Sequence, residues 1–157
     1  MDHQTSLTQH ISAPAEKVWA VISDIPGSVA TLSGIDAIQM LSAGPYAEGT
    51  RWKETRTMMG RAETMELWVS QCEPPSTGRA GSTTVKGLRG GADYTTRFSL
   101  AERDGGIDLT VTFGVEVLKP SRASKLLMAV LGPIGMRITR KALARDLREI
   151  AAKAESL

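Results

Sequence analysis

The chain has 157 residues, of which 41% are hydrophobic and 23% charged, enough for a domain with a buried core. Its formal net charge of +2 gives little support to nucleic-acid binding, so no nucleic-acid partner is expected. The one cysteine excludes an internal disulfide, and with two histidines it offers no metal-binding cluster, so neither metal nor cofactor is expected. The polar first ten residues and the lack of a long apolar run predict a cytoplasmic protein.

The first elements are a strand and two helices. Residues 5–12 alternate between apolar and polar side chains, which predicts a strand. Pro14 follows, and it suits the first turn of a helix, where its missing N–H leaves no hydrogen bond unmade. Apolar residues then recur at helical spacing as far as Asp24, with Trp19 beside them. A second short helix is predicted over residues 28–33.

The middle of the chain has the period of two that is typical of strands, interrupted by turn residues. Strands are predicted over residues 35–42, 50–58, 62–72, 82–88, 92–101 and 106–118. The last of them alternates most regularly, which indicates one buried face and one wet face.

The helical period returns after Pro120. Pro133 is expected to kink or restart a helix, so the regular part of a long C-terminal helix is predicted over residues 134–154. An antiparallel sheet needs a cover for its apolar face, and this helix is the large element left to supply it. No linker or repeat divides the chain, so one α+β domain is predicted over residues 1–157.

Four segments occur in an order that resembles a known superfamily. They are ISAPAEKVWAVISD (11–24), GTRWKETRTMMGR (49–61), WVSQCEPP (68–75) and ALARDLREIAAKAE (142–155). Together they resemble the START-like, Bet v 1-like superfamily (SRPBCC), close to its polyketide cyclase/dehydrase and lipid-transport group. The chain departs from it at SVATLSGID (28–36), where many relatives carry a tryptophan.

The resemblance implies a helix-grip fold. In that fold, strand, two helices, six strands and helix follow one another, and a curved antiparallel sheet of about seven strands wraps around the long C-terminal helix. A cavity lies between sheet and helix. Superfamily members bind lipids, hormones, quinones and polyketides, and some catalyse cyclisation or dehydration, so the fold alone does not decide the function.

Charge pattern predicts the register of the hairpin centred on Met59. If Met58 pairs with Arg61, Arg56 lies opposite Glu63 and the apolar side chains collect on one face. This register requires Met59 to adopt a positive φ in a two-residue turn, which methionine disfavours. We prefer it nevertheless, because a slip of one residue would move every side chain to the wrong face.

In this register Glu54, Arg56 and Glu63 point towards the predicted cavity. A buried carboxylate with a raised pKa can act as an acid or base, and an arginine can hold a ligand carboxylate or enolate. Glu54 and Arg56 are therefore the candidates for catalysis. The alternative is that Arg56 and Glu63 form a wet cross-strand ion pair with a structural role.

The ligand-binding candidates are the residues expected on the inner faces of the strands and of the C-terminal helix. They are Trp52, Glu54, Arg56, Glu63, Met65, Leu67, Tyr94, Thr96, Phe98, Val111, Phe113, Leu131, Ile134 and Ile138. The alternative for the apolar members is ordinary core packing, and for the tyrosine a core ring with its hydroxyl at the rim. His10 is expected on the outer face, and Cys72 is expected to be an unreactive thiol.

Three functions remain open. The preferred one is binding or transport of a hydrophobic small molecule, of lipid, polyketide or aromatic type, in the cavity. The alternatives are a cyclase or dehydratase acting through Glu54 and Arg56, and a protein-interaction module using the C-terminal helix. Residues 121–157 carry eight basic and three acidic residues, which also fits peripheral contact with an anionic membrane or simply a solvated face. The pattern leaves open whether the protein is a monomer or a homodimer.

Overall fold

The helices and strands follow the predicted order, and their boundaries agree with the prediction to within a few residues. The computed structural model describes residues 2–118 and 132–157. These residues form β1 (Asp2–Ile11), α1 (Ala15–Ser23), α2 (Ser28–Thr31), β2 (Ile35–Met40), β3 (Arg51–Met58), β4 (Arg61–Glu73), β5 (Ser82–Arg89), β6 (Ala92–Arg103), β7 (Gly106–Val117) and α3 (Pro133–Ser156).

The strands form one seven-stranded sheet in the order β1-β7-β6-β5-β4-β3-β2, with every neighbouring pair antiparallel. Strands β2 to β6 each pair with the next strand along the chain, whereas β1 pairs with β7. The alternation predicted for β7 is confirmed, because Ile107, Leu109 and Val111 are buried on one face. That face looks towards α3, so the predicted helix-grip fold is confirmed.

Helix α3 covers the sheet through an apolar stripe. Leu147, Ile150 and Ala154 recur every three or four residues and are buried against β1, β7 and α1. The helix begins at Pro133, which occupies its first turn and follows an extended Gly132. Whether the proline kinks or restarts a helix depends on residues that lie outside the described ones. Within the described residues, no helix is both long and apolar enough to span a bilayer.

The predicted register of the β3–β4 hairpin is confirmed. Met58 pairs with Arg61, and Arg56 lies opposite Glu63. Met59 has a φ of +53°, and Gly60 a φ of +74°. Both central residues are thus left-handed, as a type I′ turn requires. The burial pattern of two strands outweighs the preference of one turn residue.

Replacing Met59 with asparagine is expected to stabilise the protein by about 0.5–1 kcal/mol, because asparagine tolerates the left-handed region better than methionine. The Met59 side chain is exposed, so few contacts are lost. The measurement is the urea unfolding midpoint. Met59→Val is the control and should lower that midpoint, since a β-branched residue fits this conformation worst. Equal midpoints for all three proteins would show that the turn stores no strain.

Candidate functional site

Charged side chains on the inner face of β3 meet helix α3. Arg56 donates from Nε to Glu54 Oε1 at 2.7 Å, and its Nη1 lies 2.9 Å from Asp146 Oδ2. The indole N–H of Trp52 donates to the other Glu54 oxygen at 3.2 Å. One guanidinium therefore bridges a carboxylate of the sheet and a carboxylate of the helix. We call Glu54, Arg56 and Asp146 the Arg56 cluster.

The Arg56 cluster is largely withdrawn from water. The side chains of Glu54, Arg56 and Asp146 are 15%, 27% and 12% exposed. Burial alone would lower the pKa of Arg56, but the adjacent carboxylates of Glu54 and Asp146 raise that pKa, so the guanidinium stays charged. Burial also raises the pKa of the Asp146 carboxyl, although Arg56 acts in the opposite direction. Asp146 Oδ1 is buried and has no hydrogen-bond partner among the residues described.

The other candidates predicted from the sequence lie on the strands of the same sheet. Some are on β3 and β4 near the cluster, and the rest are on β6 and β7, three and four strands from β3. Trp52 and Val111 are buried, as expected for walls or core. The other described strand candidates of apolar or hydroxyl type are all half-buried: Met65, Leu67, Tyr94, Thr96, Phe98 and Phe113. The rings of Tyr94 and Phe113 lie 6.2 Å apart and are tilted by 45°. Burial raises the pKa of the Tyr94 hydroxyl, so it is a neutral group at physiological pH.

Two depressions lie away from the Arg56 cluster. One, of about 240 Å³, lies between the α1–α2 and β2–β3 connections and is lined by Ile25, Met40 and Tyr46, among others. The Tyr46 hydroxyl hydrogen-bonds Thr83 Oγ1 at 2.7 Å, and burial raises its pKa to about 12, which indicates a structural role. The other, of about 450 Å³, lies beside the β6–β7 turn and the start of α1.

The sequence matches a protein family described as polyketide cyclase / dehydrase and lipid transport over residues 2–155. The chain belongs to this family. The resemblance stated from the four sequence segments is thereby confirmed. No protein with a curated description matches the sequence significantly.

Solved structures of related fold extend the comparison. The Zhui aromatase/cyclase from Streptomyces sp. R1128 has a TM-score of 0.79 and 15% identity, over 99% of this chain and 94% of that one. A START superfamily protein from Mycobacterium smegmatis has a TM-score of 0.73 and 16% identity, over 98% of both chains. The di-domain ARO/CYC StfQ of the steffimycin biosynthetic pathway has a TM-score of 0.76 and 14% identity, over 99% of this chain and 51% of that one. At these identities the likeness shows the fold, and the family indicates a polyketide cyclase/dehydrase or lipid-binding START-like function.

In this family member, the predicted alternative of an Arg56–Glu63 ion pair is wrong. The two residues are opposite in register, but Glu63 pairs with Arg89 on β5, and Arg56 turns towards α3. The reason is that α3 brings a second carboxylate, Asp146, within reach of the guanidinium. Strand register determines which residues lie opposite each other. The position of α3 determines which carboxylates Arg56 can reach.

Asp146 is the site residue that sequence reasoning missed, because it was counted only as an acidic residue of a basic helix. A signal was present. Asp146 lies three residues after Leu143 and four before Ile150, inside the apolar stripe of α3. A buried carboxylate is costly unless it is paired, and Arg56 supplies the pairing cation here.

Gly34 leaves room for two arginines beside the cluster. A Cβ at this position would clash with Arg145 Nη2 and lie 3.1 Å from Arg56 Nη1. Arg145 in turn lies 3.9 Å from Glu149, whose carboxylate accepts from the backbone N–H of Ser33 at 3.2 Å. These contacts connect the residues just before β2 to α3, next to the Arg56 cluster.

The ligand-binding candidates predicted on the C-terminal helix differ in burial. Ile134 departs from the prediction, because it is 75% exposed at the second position of α3, ahead of the part of the helix that packs in the core. Ile138 is half-buried, and Leu131 lies outside the described residues. His10 is on the outer face as expected, where its Nδ1 lies 2.8 Å from Asp108 Oδ1.

The stability difference between the wild-type protein and Asp146→Asn is expected to depend on pH, because only the carboxyl titrates. Burial raises its folded-state pKa, so the folded protein holds that proton more tightly than the unfolded chain does. The contribution to stability is complete below the unfolded pKa of about 3.9 and is lost as pH rises through the folded pKa. The thermal unfolding midpoint of the wild type should therefore rise relative to that of the variant as the pH falls from 7 to 4. A difference independent of pH would contradict this account.

Proposed function

We propose that the protein binds a hydrophobic small molecule, of lipid, polyketide or other aromatic type, between the inner face of the sheet and α3. The observation that carries the proposal is the division of the apolar core. Among residues 2–118 and 132–157, one cluster of buried residues contains Leu109, Val111 and Leu147, and a separate one contains Ala92 and Val115. Domains usually form one contiguous core with smaller satellite clusters, and the half-buried side chains between these two clusters favour room for a ligand there.

The side chains between the two clusters support the proposal. Phe98 packs on the first cluster and Phe113 on the second, and the inward-facing Thr96 lies beside both. All three are only half-buried. Close-packed interiors leave no accessible surface on inward rings, so these residues are suited to contact a ligand. The ligand's apolar part would lie against them and its polar part near the Arg56 cluster.

A second candidate function is catalysis of cyclisation or dehydration through the same cluster. One observation favours it. Burial raises the pKa of the Asp146 carboxyl, and its Oδ1 has no hydrogen-bond partner among the described residues, which makes Asp146 a candidate acid or base. The basic residues of α3 give less support to a protein-interaction module, because Arg140 donates to Thr5 and Arg145 lies beside Glu149.

The proposal is tested with Nile red, a neutral apolar dye that becomes fluorescent in apolar surroundings. The wild-type protein should bind it saturably. Thr96→Trp fills the space between the two core clusters and should weaken binding at least tenfold. Arg97→Trp adds the same ring to the outer face of β6 and should bind as the wild type does. Equal binding by both folded variants would overturn the proposal.

A further inference from the structure

We propose that this site selects a ligand whose polar head is a neutral hydrogen-bond donor, such as a phenol or an alcohol, over one that ends in a carboxylate. The inference rests on the proposed function and names the ligand class of the same site. It replaces the expectation, drawn from the sequence, that Arg56 holds a carboxylate or enolate of the ligand.

The first argument is the charge of the site. Two of the three guanidinium nitrogens of Arg56 already face carboxylates, at 2.7 Å from Glu54 and 2.9 Å from Asp146. The Arg56 cluster has one positive and two negative charges. Arg145 also acts on Asp146, but it lies 3.9 Å from Glu149, so the two arginines and the three carboxylates together carry one net negative charge. A ligand carboxylate would be a third anion around one guanidinium in a site of low dielectric constant, where like charges repel strongly.

The second argument is the hydrogen-bonding capacity that the site leaves unused. Both oxygens of Glu54 accept hydrogen bonds, from Trp52 and from Arg56. The Asp146 side chain is only 12% exposed, and its Oδ1 has no partner among the residues the structure describes. A buried acceptor without a donor is costly, so a group that brings a donor gains more there than in water. A hydroxyl supplies that donor, whereas a carboxylate brings only further acceptors.

The absence of a side chain at Gly34 adds a geometric point. Arg145 Nη2 and Arg56 Nη1 both approach the position that a Cβ would occupy there. Two guanidinium groups packed so closely need both neighbouring carboxylates, Asp146 and Glu149, to remain ionised or hydrogen-bonded. A ligand anion would compete with these two for the same arginines, and the helix contacts would be lost in the exchange.

The test compares three ligands that share one ring system, measured by calorimetry at pH 7. We expect 2-naphthol to bind most tightly, 2-methoxynaphthalene, which lacks the donor, several-fold more weakly, and 2-naphthoate at least tenfold more weakly. Asp146→Asn should reduce the advantage of the naphthol over its methyl ether and strengthen naphthoate binding about tenfold. Glu54→Gln, which leaves Asp146 in place, should also strengthen naphthoate binding. It replaces Asp146→Asn in the test if that variant does not fold.

The control is Glu66→Gln, which removes one negative charge from the exposed face of β4 and should leave the ligand order and the naphthoate affinity unchanged. Naphthoate binding as tightly as naphthol to the wild type would overturn the inference while leaving the proposed function intact. Failure of all three ligands to bind would overturn it as well. If Nile red also failed to bind, the proposed function would fall with it.

Discussion

Replacing Arg56 with alanine is expected to lower the free energy of unfolding by about 2–3 kcal/mol at neutral pH. Removal of one partner from a buried ion pair costs about 3–5 kcal/mol, because it leaves an uncompensated charge. We place the effect below that range, at about 2–3 kcal/mol, because the Arg56 side chain is 27% exposed and water screens the charges in part. Two carboxylates, Glu54 and Asp146, would be left without their shared cation. Urea unfolding at pH 7 measures the effect.

Arg51 provides the matched control, since it lies on the same strand but on the outer face. It pairs with Glu66 at 3.0 Å, and the two side chains are 52% and 44% exposed. Removal of an exposed pair costs about 0–1 kcal/mol, so Arg51→Ala should be nearly neutral. The loss caused by Arg56→Ala should also shrink when Asp146→Asn is added, because the two residues are coupled. Equal losses for the two arginine variants would contradict the burial of the cluster.

Replacing Leu147 with alanine is expected to lower the free energy of unfolding by about 2–5 kcal/mol, the usual range for a buried leucine. Leu147 is 3% exposed and belongs to the same buried cluster as Ile11, Val18 and Leu109. The loss combines removal of apolar contacts with the cavity left between α3 and the sheet. The unfolding midpoint in urea, at unchanged slope, measures it.

The neighbouring residue supplies the comparison for Leu147. Arg148 follows it on α3 and is exposed, so Arg148→Ala should change the stability by no more than about 0.5 kcal/mol. If Leu147→Ala cost less than about 1 kcal/mol, α3 would not be the cover that completes the core.

Much of the fold could be predicted from local pattern. The period of two in β7 reports its buried face directly, because Leu109 and Val111 must point the same way. The charges of β3 and β4 specified the register even against the preference of Met59, since a slip would have turned every side chain over. Hydrophobic alternation predicts side-chain orientation and register reliably wherever one face of a strand or helix is buried.

The candidate site was predictable only in part. The sequence placed Glu54 and Arg56 on the inner face, but it could not choose among the anions within reach of a long, flexible arginine. Spacing places Asp146 on the packed face of α3, but which strand residue it meets depends on how α3 lies across the sheet. Ile134 shows the same limit, because helical spacing predicts a face but not where the packed part of the helix begins.

The most direct test of ligand binding is native mass spectrometry of the freshly purified protein, before and after incubation with 2-naphthol. The account predicts a mass above that of the polypeptide, from a small molecule already bound or from the added naphthol, and its loss on denaturation. The released molecule should be apolar and carry a hydroxyl rather than a carboxylate. The account is contradicted if both samples show only the mass of the polypeptide and Thr96→Trp behaves as the wild type does. The space between the sheet and α3 would then hold no ligand.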